Sequence, residues 1–316
     1  MKKKIFKLII ISIPLFLVLA LTSIIASSYF EHRNLIEEEK NKYPAPGVLV
    51  DVNDDGNYLH VYKKGQGNQT IVFMSGLGTS SPLYDFKVLS DKLSNDYKVL
   101  IIERAGYGWS DITKSPRDID TVLEETRKAL NISGEDSPFV LFPHSMAGLE
   151  AIHWANSYPD EVKAIIALDP LVPEYYEKTK HKTTFSKMTN FLVDTGLVRA
   201  RPEVFDENFP AMKKGHLNEE EAQIARTIFY RRTQTKNMWE EIEMIKTNSK
   251  TVSEKGKPEL PFHVFISNEN DDEKWYETLI YYAQETDGKY FILEAGHYVH
   301  NYKPELIAEK SKELIG

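Results

Sequence analysis

Two hydrophobic patterns divide the chain. Residues 8–30 form a run of 23 positions without a charge. As a helix such a run extends about 34 Å, slightly more than a hydrocarbon core. From residue 48 onward the apolar positions fall instead into short runs of strand length. These are residues 48–52, 58–62, 70–74, 98–102, 139–142, 162–168, 261–267 and 290–293. Stretches of helical character lie between most of them, including residues 82–94, 119–130 and 146–158. Strand alternating with helix predicts an α/β protein with a mostly parallel central sheet flanked by helices. Asn53-Asp54-Asp55-Gly56 between the first two runs predicts a hairpin. Asp51, Asn53, Asp55 and Gly56 also match the start of a calcium loop, but Tyr62 stands where that loop requires a bidentate Glu, so the turn is preferred. Residues 171–257 break the rhythm: they offer helical segments, such as Glu219–Arg232 and 237–247, and no convincing strand. They predict a helical lid inserted over the sheet, with Trp239, Ile242 and Ile245 recurring at helical spacing as its packing stripe.

The domain plan follows. Residues 1–30 are an N-terminal transmembrane anchor, and 31–46 a polar linker ending in Pro44-Ala45-Pro46. Residues 47–170 and 258–316 form the core, and 171–257 the lid. Lys2, Lys3, Lys4 and Lys7 precede the apolar run, and positive flanks stay in the cytoplasm, so the remainder is expected outside on a single-pass anchor. The alternative is a signal peptide cleaved near Ala26-Ser27-Ser28 and a secreted product. The run exceeds the roughly 7–15 residues of most signal-peptide apolar regions, which favours the anchor.

Composition narrows the function. The net charge is −8, and the first thirty residues carry four lysines and no acid, so residues 31–316 hold 35 basic and 47 acidic side chains. Such a surface repels phosphates and argues against a nucleic-acid partner. The acids Glu219, Glu220, Glu221, Glu240, Glu241 and Glu243 are expected on solvated helix faces. With no cysteine there is no disulfide, Cys nucleophile or zinc ribbon. No H-E-x-x-H, phosphate-loop or dinucleotide fingerprint occurs, so no metal and no cofactor are expected.

The chemistry concentrates in Phe139-Val140-Leu141-Phe142-Pro143-His144-Ser145-Met146-Ala147-Gly148. A buried strand runs into a sharp turn and then a helix. A serine at that turn stands exposed at the strand end, and its neighbours must be small because the backbone is crowded. Ala147 and Gly148 meet that need; Pro143 replaces the usual first glycine of G-x-S-x-G. Ser145 is therefore the candidate nucleophile.

Pro143–Gly148 resembles the nucleophile elbow of the α/β-hydrolase family. Glu103-Arg104-Ala105-Gly106-Tyr107-Gly108-Trp109-Ser110 resembles the loop after the family's fourth strand. Ser75-Gly76-Leu77-Gly78 is similar to its oxyanion loop, with Ser75 in place of His, and Gly296-His297 to its terminal histidine turn. The resemblance spans residues 48–316. It implies a triad in the chain order Ser, acid, His. His297 is then the base, with His300 one helical turn on as its main rival but more readily a partly exposed surface histidine, and His144 structural. The acid is expected a few positions beyond the strand 261–267. That favours Asp271 over Glu269 and Asp272, with Asp169 after the preceding strand as the alternative site. The backbone N–H groups of Leu77 and Met146 would hold the oxyanion. The resemblance implies hydrolysis of an ester, or less readily an amide, of a small-molecule or lipid-like substrate through an acyl-enzyme. Acyl transfer uses the same machinery, and a catalytically silent binding protein is the rival of another class.

Overall fold

A computed structural model describes residues 2–53, 56–178, 185–269 and 272–316, with side chains from residue 11 except at 177 and 178. Eight strands form one sheet: β1 (Val48–Asp51), β2 (Tyr58–Lys64), β3 (Thr70–Met74), β4 (Lys98–Glu103), β5 (Phe139–Pro143), β6 (Val162–Leu168), β7 (Phe262–Ser267) and β8 (Tyr290–Leu293). Their spatial order is β1-β2-β4-β3-β5-β6-β7-β8. The β1–β2 and β2–β4 pairs are antiparallel and all others parallel. The expected hairpin is present: Asp51 pairs with Tyr58, and the Asp51 carboxylate closes the turn by accepting from the Gly56 N–H at 2.9 Å. Asp54 and Asp55 lie outside the described residues.

The central strands are buried on both faces, as parallel strands under two helical layers must be. Period-two alternation sends Val72, Leu100 and Leu141 into one core layer and Ile71, Phe73, Val99, Ile101, Val140 and Phe142 into the other. Sequence order runs from β3 one way to β4 and then back across β3 to β5. The carboxyl ends of β3 and β5 therefore flank a topological switch point, where open α/β sheets present their sites.

Between β6 and β7 the described residues contain only helical elements, chiefly Lys187–Asp194, Glu219–Arg232 and Lys236–Glu254. They have a core of their own around Phe205, Phe209, Ile228 and Phe229. The stripe Trp239, Ile242, Ile245 is half-buried, with Ile245 packed against the core; the helix Lys236–Glu254 fully buries Asn237, Met238, Glu241, Asn248 and Val252. Polar residues on that face reach loop backbone that has no strand or helix partner. Asn237 bonds both the N–H (3.0 Å) and the carbonyl (3.1 Å) of Thr113, and Asn248 bonds Ile119 N–H and Arg117 O at 2.9 and 3.0 Å.

The N-terminal helix runs unbroken from Lys2 to Lys42 through Pro14, which membrane helices tolerate. Its described part has a stretch of mean hydropathy 2.1, wholly unburied, long and apolar enough to cross a membrane or to serve as a signal sequence. Residues 31–42, expected as linker, continue the helix because nothing breaks it before Pro44 and because the lid binds it. Arg199 forks onto Glu39 with Nη1 and Nη2 at 2.6 and 2.8 Å, and its Nε donates to His32 Nδ1 at 2.8 Å. Burial, then Arg199 and Arg33, push the His32 pKa down to about 4, keeping the ring neutral and able to accept that bond.

Candidate active site

Strand β5 ends at Pro143, and the backbone turns sharply through His144 and Ser145. Ser145 has φ +51°, a left-handed conformation that costs a non-glycine residue about 1–3 kcal/mol and persists only where its surroundings enforce it. Leu171 N–H donates to the Ser145 carbonyl at 2.7 Å and Ser145 N–H to Leu168 O at 3.3 Å. The crowding expected of such a turn is literal. A Cβ on Gly148 would lie 2.4 Å from Leu171 O, and one on Gly76 2.8 Å from Ser145 Cβ and 2.9 Å from His144 Nδ1.

Ser145 Oγ lies 2.9 Å from His297 Nε2, and His297 Nδ1 lies 2.6 Å from Asp169 Oδ2. Among the described residues the carboxylate that meets His297 is Asp169, at the carboxyl end of β6, the alternative acid; Asp271 lies outside the described residues. The pairing with Asp169 has a physical basis in the neighbouring strand end. At the end of β7 the structure has Ser267, which supports the acid instead of supplying one. Its N–H and Oγ donate to Asp169 Oδ1 and Oδ2 at 3.0 and 2.7 Å, and Trp275 Nε1 adds a third donor to Oδ1 at 3.0 Å. Asp169 is fully buried, so these donors replace the water its charge has lost. Its φ of +48° turns the side chain out of the strand line, and its N–H is tied to Phe265 O at 2.8 Å. The other acids weighed are elsewhere: Asp272 caps the helix Glu273–Glu285 through Trp275 N–H at 3.1 Å, and Glu269 is exposed.

Two further histidines lie close by. His144 is buried with Nε2 3.1 Å from the His297 carbonyl. A carbonyl only accepts, so His144 Nε2 carries the proton. Burial first, then the neighbouring His297 and His300, hold the His144 pKa well below its usual value, keeping it neutral in this role. His300 is not a surface residue; it is buried, its Nε2 2.9 Å from Asp85 Oδ2. Its signal was an apolar neighbour at the start of a helical turn, Val299, which is itself buried.

Leu77 and Met146, the expected oxyanion donors, are both part-exposed beside Ser145, and among the described residues neither backbone N–H has a partner within the fold. The Ser75–Gly78 loop is held from behind. Arg104 Nη1 donates to Ser75 O at 2.7 Å, and Gly78 N–H approaches the Tyr107 hydroxyl at 3.5 Å. Arg104 pairs with Glu241 of the lid at 3.1 Å and lies 3.6 Å from Glu150 of the helix after Ser145. Tyr107 donates to Glu241 Oε2 at 2.5 Å. Burial opposes the Arg104 cation, but Glu241, Tyr107 and Glu150 outweigh it and hold its pKa above the ordinary arginine value. Glu241, expected in solvent, is thereby a buried bolt between lid and loop. Removing one partner of such a pair typically costs about 3–5 kcal/mol, whereas replacing both is far milder. Glu241→Leu is therefore expected to lower unfolding stability in urea by about that amount, and Arg104→Met/Glu241→Leu to recover most of it.

A serine-bearing strand–turn–helix, a histidine after the last strand and an inserted helical lid over a mostly parallel sheet define a class. A family model for the alpha/beta hydrolase fold matches residues 69–305, and the chain belongs to that family. It is 33% identical over 325 residues to the uncharacterized protein YbdG of Bacillus subtilis, covering 99% of this chain and 97% of that protein. Among solved structures, Cfl2 of Burkholderia cenocepacia superposes with a TM-score of 0.67 at 16% identity, over 85% of this chain and 95% of that one. The epoxide hydrolase VrEH1 of Vigna radiata gives 0.62 at 15%, over 85% and 97%. At such identities these likenesses speak for the fold alone.

Proposed function

We propose that the protein is a serine hydrolase that cleaves an ester, or less readily an amide, of a small-molecule or lipid-like substrate through an acyl-enzyme on Ser145. The observation that carries this reading is the continuous hydrogen-bonded relay Ser145 Oγ–His297 Nε2, His297 Nδ1–Asp169 Oδ2. Its chemistry follows from the donors and acceptors present. Ser145 Oγ attacks the carbonyl carbon while His297 Nε2 takes its proton, and Asp169 stabilises the imidazolium. The carbonyl oxygen becomes an oxyanion within reach of the Leu77 and Met146 N–H groups. The intermediate collapses, the bond to the leaving alcohol breaks, and His297 returns the proton to that alcohol. Water then repeats the sequence on the acyl-serine, releasing the acid and regenerating the hydroxyl. The likeness to an epoxide hydrolase does not redirect this chemistry, because the elbow here carries a serine and not the aspartate of the epoxide-hydrolase branch.

The charge-free run 8–30 after four lysines supports an uncleaved single-pass anchor with the hydrolase domain outside the cytoplasm. The direct test of the chemistry is labelling with a fluorophosphonate probe. One adduct on Ser145 is expected by mass spectrometry, with none in Ser145→Ala, alongside turnover in a panel of chromogenic esters that exceeds turnover of aminoacyl amides. An unlabelled Ser145 in folded protein would overturn the proposal.

A further inference from the structure

The lid helix Lys187–Asp194 has Met188, Phe191 and Leu192 exposed at 65%, 44% and 37%. At i, i+3 and i+4 they share one face. Only Val193 of this helix is buried, and the exposed Lys187 stands at its start. Nothing in the described fold covers that face.

What lies beside it is the N-terminal helix. Ser28 Oγ donates to the carbonyl of Thr195, the residue capping the lid helix, at 2.8 Å. The next residue, Gly196, packs so tightly on His32 that a Cβ there would lie 2.4 Å from His32 Cβ. Together with the Arg199–Glu39 fork, these contacts fix the height of the lid helix along the N-terminal helix. Ser28 belongs to the last turn of the charge-free run, which ends at Phe30. Thr195 N–H bonds Phe191 O at 3.0 Å, so Phe191 sits one turn, about 6 Å, from the residue touching Ser28. If residues 8–30 span the bilayer, Ser28 is at its outer edge, and the exposed apolar face lies at the level of the headgroup–acyl boundary.

We infer that the lid helix Lys187–Asp194 is a second membrane contact, seated with Met188, Phe191 and Leu192 in the outer interface of the bilayer that the N-terminal helix spans. The inference rests on reading residues 8–30 as an uncleaved anchor. The occupant is a lipid surface because the apolar span meets the lid at Ser28, one helical turn from this face. An exposed apolar helix face seats its side chains at that boundary by burying them in the headgroup–acyl region. The contact ties the membrane to the site. Just before the lid helix, the Phe185 ring is close enough to the candidate oxyanion loop that a Cβ on Gly78 would lie 3.1 Å from it. One eight-residue helix, about 12 Å long, thus joins that loop to the interface.

The chain has no cysteine, so single-cysteine variants carry a fluorophore at one position only. Full-length Phe191→Cys, Met188→Cys, Ile24→Cys and Ile132→Cys, labelled with NBD and reconstituted in phosphatidylcholine–phosphatidylglycerol vesicles, would be compared with and without spin-labelled lipid. Ile132 is exposed at the end of the helix Ile119–Ile132, just before β5 begins, at the opposite end of the sheet from the lid. Blue-shifted emission and at least a twofold quench at 191 and 188, as at 24 and unlike 132, is the expected result. Quenching at 24 with water-like emission at both 191 and 188 would overturn the lid contact while leaving the anchor intact. Absence of quenching at 24 as well would remove the anchor and the lid contact together.

Discussion

Asp169→Asn is expected to lower kcat by about four orders of magnitude, while Asp271→Asn leaves it within a factor of a few. The Asp169 carboxylate accepts from His297 Nδ1 on one oxygen and is held by Ser267 and Trp275 on both. An amide at this position presents an NH2 group to one side of that network. If the NH2 faces His297, the imidazole must offer a lone pair at Nδ1 and carry its proton on Nε2. A protonated Nε2 is unable to take the Ser145 proton, so the nucleophile is lost although every atom remains near its place. Steady-state kinetics on the best ester from the panel would measure this, with the thermal transition checked in parallel. Activity kept in Asp169→Asn and lost in Asp271→Asn would return the acid to the loop after β7.

That choice shows where sequence reading runs out. β6 and β7 are adjacent in the sheet, so an acid at either carboxyl end has access to the histidine after β8, and both fit the order Ser, acid, His. Asp169 and its Pro170 read equally well as an ordinary loop cap. Only the backbone turn at Asp169 and the donors on Ser267 and Trp275, residues about 100 positions away, separate the two. Ser145 and His297 were legible because each carries its context in neighbouring residues: a buried run before the serine with small residues after it, and a strand and a glycine before the histidine. The eight strands were legible for the same reason, their apolar runs being local.

The lid misled in an instructive way. Trp239, Ile242 and Ile245 gave the helix Lys236–Glu254 an apolar stripe, yet the face it buries carries Asn237, Glu241 and Asn248. A hydrophobic period identifies the buried face only when the partner surface is apolar. Here part of the partner surface is loop backbone and the Arg104 guanidinium, whose unmet donors and acceptors require polar contacts. The same limit applies to residues 31–42. Their charges read as a solvated spacer, but Arg199 and the lid turn capture Glu39 and His32 from 160 or more positions away.

Ser145→Ala and His297→Ala are each expected to cost about 10⁶ in kcat, and the double variant little more than either alone. The two groups act in one step. Without His297 the Ser145 hydroxyl keeps its proton, and without the hydroxyl His297 has no proton to move, so each single change already removes the whole step. What survives in all three variants is binding and the two backbone donors at Leu77 and Met146, which neither substitution touches. A residual rate about 10³–10⁴ above the uncatalysed reaction is therefore expected in each. The small side chain at 145 keeps the left-handed turn supported by Leu171 and Leu168, so the thermal transition should stay close to the parent's. A double variant whose loss is the product of the two single losses would mean that the residues act in separate steps, and the relay proposed here would not stand.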